Sequence, residues 1–124
     1  MDSEHSSSAL LMILAIDKNH ALFVFSSIAE AEVHLEAWDV QQEAIEFCDA
    51  RGQRYLPSYT MPPKESRLGP LRTINIGAYR LEAEGQPGAG LTEAFLKRAA
   101  HLEHSSVPAI HSIEEAGMAL SRYA

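Results

Sequence analysis

The tetrapeptide Asp49-Ala50-Arg51-Gly52 limits the folding options of this chain more than any other stretch. An aspartate that opens and a glycine that closes such a unit suit a type I turn ending in the left-handed region. Before it the residues alternate over Glu43 to Asp49, with Ile45 and Phe47 on one side and Ala44, Glu46 and Cys48 on the other. Gln53 to Leu56 should therefore return as an antiparallel strand. A hairpin here commits the middle of the chain to a sheet, and the flanking elements must cover that sheet.

On the N-terminal side, residues 1–8 are polar and expected to be disordered. Ala9 to Ile16 is a dense apolar run, and its periodicity does not choose between a buried strand and the flank of a helix. Asp17 to His20 is turn chemistry, and Ala21 to Phe25 reads as a strand. Ser27-Ile28-Ala29-Glu30 fits a capping box. Ile28, Ala31, Leu35 and Trp38 then form one apolar stripe, which predicts a single three-turn helix that buries Trp38.

On the C-terminal side, five Pro and Gly residues between 57 and 70 predict a loop, with at most an edge segment at Ser58 to Met61. Leu71 to Glu84 reads as a long strand with a bulge at Gly77. Gly85 to Gly90 is a connector. Thr92 is placed to cap a helix through about His104, with Phe95, Ala99 and Leu102 inward. Ser112-Ile113-Glu114-Glu115 opens a final helix with Ile113, Ala116 and Leu120 on one face. Its likeness to Ser27–Ala31 is shared capping grammar rather than a repeat. The predicted class is α+β, an antiparallel sheet of about four to five strands with two to three helices packed on it, in a single domain over residues 1–124.

With 124 residues, a fold of this kind buries about two-thirds of its unfolded surface and needs no staple. Cys48 is the only cysteine, so an internal disulfide is excluded and a reducing compartment is expected. The longest apolar run is too short for a membrane helix, which needs roughly twenty residues. No basic start precedes that run, so a cytoplasmic location is expected, and Met12 offers an alternative start. The net charge of −7 repels nucleic acid and anionic lipid.

The charge is unevenly placed. Between Lys18 and Arg51 stand seven carboxylates, Glu30, Glu32, Glu36, Asp39, Glu43, Glu46 and Asp49, and no lysine or arginine. Ordinary surfaces mix both signs. A one-signed stretch carried on a helix and a strand steers a basic partner toward it, so these seven are the expected partner-binding residues.

Catalytic readings fare worse. His101 and His104, three apart on the expected helix, share a face and with His111 suggest a metal site, but H-E-x-x-H spacing is absent. Histidines at a helix C-terminus also complement its dipole without metal. Cys48 has no basic neighbour before Arg51 to favour its thiolate. Gly85 to Gly90 lacks the lysine of a phosphate loop. Glu82/Glu84 and Glu114/Glu115 fit a solvent-facing strand and a helix start. Neither a catalytic residue nor a cofactor or metal is assigned. A homo-oligomeric scaffold and a histidine-dependent metal or ligand-binding enzyme stand as alternatives.

The stretch from Leu22-Phe23-Val24-Phe25-Ser26-Ser27-Ile28-Ala29-Glu30-Ala31-Glu32, through Leu35-Glu36-Ala37-Trp38-Asp39-Val40, to Glu46-Phe47-Cys48-Asp49-Ala50-Arg51-Gly52-Gln53-Arg54 resembles small bacterial immunity proteins encoded beside polymorphic or secreted toxins. The shared pattern is a strand, an S-x-x-E-A-E helix, hydrophobic-D-V, and a D-A-x-G hairpin over residues 22–55. The resemblance implies a non-enzymatic inhibitor that occludes a cognate toxin or other basic protein, and it transfers no active-site residue. A homodimer is compatible with it.

Overall fold

The computed structural model describes residues 12–88 and 90–121; the expected disorder of residues 1–8 lies outside them. Among the described residues the chain is α+β, with eight strands and four helices. The strands are β1 (Ile13–Ile16), β2 (Ala21–Phe25), β3 (Glu46–Asp49), β4 (Arg54–Met61), β5 (Lys64–Leu68), β6 (Leu71–Asn75), β7 (Ala78–Glu84) and β8 (His101–Ser105). The helices are α1 (Ile28–His34), α2 (Ala37–Gln42), α3 (Leu91–Arg98) and α4 (Ile113–Ser121). Six strands form one sheet in the order β7-β4-β3-β1-β2-β8, and β5 and β6 form a second. That is more strands than the four to five expected, and the sheet is mixed, because β2 and β8 run parallel.

The central strands are buried on both faces. On one face Ile13, Ala15, Phe25 and Phe47 pack with Ala31, Leu35, Ala37 and Val40 of the α1–α2 layer. On the other, Leu14, Ile16, Leu22, Val24 and Cys48 pack with Phe95, Ala116 and Leu120 of α3 and α4. Double coverage explains the unbroken apolar run at Ile13–Ile16, since a strand wetted on neither side shows no alternation.

The expected three-turn helix is two helices. Ser27 caps α1 by accepting from the Glu30 N–H at 3.1 Å. At the other end the Tyr79 hydroxyl of β7 donates to the Leu35 carbonyl at 2.7 Å. Leu35 is extended, at φ −99° and ψ 108°, and the chain restarts as α2 behind Glu36. The break rotates the stripe, so Ala37 and Val40 are buried and Trp38 is only half-buried.

The hairpin at Asp49–Gly52 forms as expected, with Gly52 N–H bonded to the Asp49 carbonyl at 3.1 Å and Gly52 at φ +84°. A Cβ on Gly52 would lie 2.3 Å from the Gly88 carbonyl oxygen, so the connector packs against this glycine.

The loop expected over 57–70 is instead strand. β4 runs on through Pro57, which lies opposite Leu81. The Leu81 N–H donates to the Glu32 carboxylate at 2.7 Å rather than to β4. The Pro57–Leu81 pair is therefore the non-bonded kind, and the missing proline N–H costs nothing in this ladder. Beyond Met61 the same ribbon breaks at Pro62-Pro63 and Gly77, then continues as the β5–β6 hairpin. Gly77 holds φ +78°, and a Cβ there would sit 2.5 Å from the Met61 carbonyl oxygen.

The helix expected from Thr92 to His104 ends at Arg98. Gly90 is its N-cap, and the Thr92 hydroxyl donates to the Asp49 carbonyl at 2.8 Å instead of capping. His101–Ser105 is strand β8, taken up by the open edge of β2. No helix among the described residues is long and apolar enough to cross a membrane.

Candidate functional site

The seven carboxylates of the base-free run are separated by the fold. Asp49 is fully buried. One oxygen of its carboxylate accepts from the Arg51 and Gln53 N–H groups at 2.9 and 3.0 Å, and the other from the Tyr55 hydroxyl at 3.1 Å. It is the internal anchor of the β3–β4 hairpin, a use of aspartate that turn chemistry favours. Because strand side chains alternate, Glu46 falls on the face opposite Phe47, away from α1 and α2. There it meets Arg98 at 2.9 Å and Arg54 at 3.3 Å. The Arg98 guanidinium, with Arg54 behind it, holds its carboxyl below the usual range, against a smaller opposing effect of burial.

Glu32 is half-buried and spends one oxygen on the Leu81 N–H at the outer edge of β7. Glu43 follows α2 and lies 3.9 Å from Lys18. Glu30, Glu36 and Asp39 remain, exposed on the outer side of the α1–α2 layer. Among the described residues, no lysine or arginine is ion-paired with any of the three. Glu30 accepts from the Ser26 hydroxyl. The Ser26 and Ser106 hydroxyls lower its pKa, and His104 adds to them. Val33 stands in the same layer, 82% exposed. The surface is thus a helical layer with three exposed carboxylates, none ion-paired to a lysine or arginine among the described residues, and one bare aliphatic side chain.

The other candidates acquire definite surroundings. His101 is on a strand, bonded to Glu103 at 3.0 Å, so the shared helix face with His104 does not exist. His104 instead stacks on His34 with ring centroids 3.9 Å apart. Burial first, and the His34 charge second, lower its pKa, while Glu30 opposes them. His34 carried no signal in the sequence, because the pair depends on β8 lying beside β2. Phe25, Glu30, Val33 and Ser106 complete an open hollow of about 350 Å³ around the two rings. Among the described residues, no three His, Cys, Asp or Glu side chains converge on a position that would hold a metal.

Cys48 is buried beneath α3, and burial, despite the nearby Thr92 hydroxyl, pushes its thiol up to about 12. Such a thiol is no nucleophile at neutral pH. A cleft of about 720 Å³ opens between the hairpin turn, α3 and α4, lined by Ala50, Leu96, Gly117 and Leu120 with Arg51 and Glu93. Its walls are mainly apolar. No family model, curated protein or solved structure matches the chain.

Proposed function

We propose that this protein is a non-enzymatic binding protein of the toxin-inhibitor kind, which engages a basic partner over the outer surface of α1 and α2. The observation that carries this reading is the exposure of Glu30, Glu36 and Asp39 on the same two-helix layer as the exposed Val33, with no lysine or arginine ion-paired to them among the described residues. The contact is narrower than the seven-residue patch that sequence suggests, because Asp49, Glu46, Glu32 and Glu43 are engaged by the chain itself. Exposed carboxylates guide approach, and the apolar Val33 in the same layer supplies the hold. Of the seven, the three exposed residues are the partner-binding set.

The test is co-expression with the product of an adjacent toxin-like reading frame, followed by kinetics of the purified pair. The chain should relieve the toxicity. Reversing Glu30, Glu36 and Asp39 to lysine together should slow association about tenfold at low salt. Reversing the exposed β7 residues Glu82 and Glu84 should leave it unchanged. Equal effects from both sets would refute a specific surface.

A further inference from the structure

The β5–β6 ribbon leaves the six-stranded sheet as an arm. All ten residues of its two strands are exposed. An isolated two-stranded hairpin is marginally stable in water, so an arm of this kind needs a cover. Its tip is Gly69-Pro70 between Leu68 and Leu71, which lie opposite each other and are 79% and 66% exposed. Arg67 pairs across the ribbon with Arg72 directly behind that tip, and Ile74 lies opposite Glu65. Six of the eight exposed large hydrophobic residues among the described residues stand on β4 or on this arm and its base: Leu56, Met61, Leu68, Leu71, Ile74 and Ile76.

The arm also reverses the charge of the chain. Residues 62–77 hold Lys64, Arg67 and Arg72, three of the ten lysines and arginines, but only Glu65 of the seventeen acids. Glu65 is shared between Arg72 and Arg67. A basic ribbon with a bare leucine tip therefore projects from an acidic body whose α1–α2 layer carries three exposed carboxylates and an exposed valine. The arm of one copy has the charge and apolar character that the surface of another would accept.

We infer that the β5–β6 arm docks on the α1–α2 surface of a second copy of this chain, giving a two-fold homodimer by reciprocal arm exchange. Leu68 and Leu71 cover Val33, and Arg67 and Arg72 face Glu36 and Asp39. A two-fold contact is made twice, so each arm and each receiving surface needs to bury only about 400 Å² to reach a standard interface of about 800 Å² per partner. Like-charge repulsion disfavours arm against arm, and the acidic body disfavours an anionic membrane or nucleic acid. The inference uses the same acidic surface as the binding reading, so a toxin and a second copy would compete for it; it requires no toxin, and either can fail alone.

Analytical ultracentrifugation of the full chain, with no partner present, decides it. The wild type should dimerise, and the dimer should weaken as salt rises. Leu68→Asp with Leu71→Asp changes only exposed positions and should raise the dissociation constant about a hundredfold. Arg67→Glu with Arg72→Glu should dissociate the dimer, and adding Glu36→Lys and Asp39→Lys should restore it. A Val33→Cys, Leu71→Cys chain should form an inter-chain disulfide under mild oxidation. A wild type that stays monomeric overturns the inference. So does a dimer indifferent to the leucine changes, or a charge reversal in the arm that the α-layer reversal does not rescue.

Discussion

Asp49→Ala separates a structural acid from a surface acid. The carboxylate is the acceptor for three donors, and two of them, the Gln53 N–H and the Tyr55 hydroxyl, belong to buried residues. Each buried donor left without a partner costs about 1–3 kcal/mol. The third, the Arg51 N–H, belongs to an exposed residue and can turn to water. Removing a buried charge returns part of the loss, because the carboxylate no longer has to be desolvated. The expected net destabilisation is about 3 kcal/mol, a large share of a domain stability of about 5–15 kcal/mol. Asp49→Asn keeps one oxygen for the two amides and lets the Tyr55 hydroxyl accept from the new amide, so it should cost about 1 kcal/mol. Urea unfolding followed by the fluorescence of Trp38, the only tryptophan, reads these values. A double-mutant cycle with Tyr55→Phe should give a coupling of about 1–2 kcal/mol. A loss below about 1 kcal/mol for Asp49→Ala, at unchanged denaturant slope, would refute the anchor role.

Three further outcomes follow from particular contacts. Glu32→Ala should destabilise the fold by about 1 kcal/mol and speed amide exchange at Leu81, whose N–H it accepts; exchange as slow as in the wild type would show that another acceptor suffices. The native protein should resist iodoacetamide at about pH 8 and react only when unfolded, since burial pushes the Cys48 thiol up to about 12. Glu30 and Glu46 are held below their ordinary 4.5, so their stabilisation is full above that value and fades as pH falls through the lowered ones. His104 is held below 6.5, so the unfolded chain takes the proton first, and stability begins to fall as pH drops through 6.5. A thermal midpoint measured between about pH 3 and 7 should show both limbs. Arg98→Ala should flatten the lower one, and an unaltered lower limb would argue against the Glu46 pair.

What was legible in the sequence was local chemistry. The Asp49–Gly52 turn, the Ser27 cap and the final helix each depend on groups within about four residues, and each is found. The Ser112 hydroxyl, for instance, accepts from the Glu115 N–H at 3.1 Å. What escaped depends on distant partners. The helix from Ile28 ends where Tyr79, 44 residues away, donates to the Leu35 carbonyl. Helical spacing at Phe95, Ala99 and Leu102 could not reveal that β2 had an edge for His101–Ser105. Prolines at 57, 62 and 63 signalled a loop, yet Pro57 stands at a non-bonded pair and the other two mark only where the ribbon bends. The acidic run misled for the same reason, since Glu46 meets Arg98 from 52 residues away and Glu32 meets Leu81 from 49.

That division sets how strongly the α1–α2 surface can act. Two unit charges 10 Å apart in water interact by only about 0.4 kcal/mol, and physiological salt screens them over about 8 Å. Three exposed carboxylates can therefore bias the approach of a basic partner, but they cannot by themselves hold it. The hold has to come from apolar contact, and Val33 is the aliphatic side chain most exposed in that layer. Salt should consequently change the association rate of any complex formed there and leave its dissociation rate nearly constant. Val33→Asp should do the reverse, raising dissociation while association at low salt changes less. If dissociation instead rose steeply with salt, the carboxylates would be desolvated inside the contact, and the guiding role assigned to Glu30, Glu36 and Asp39 would be wrong.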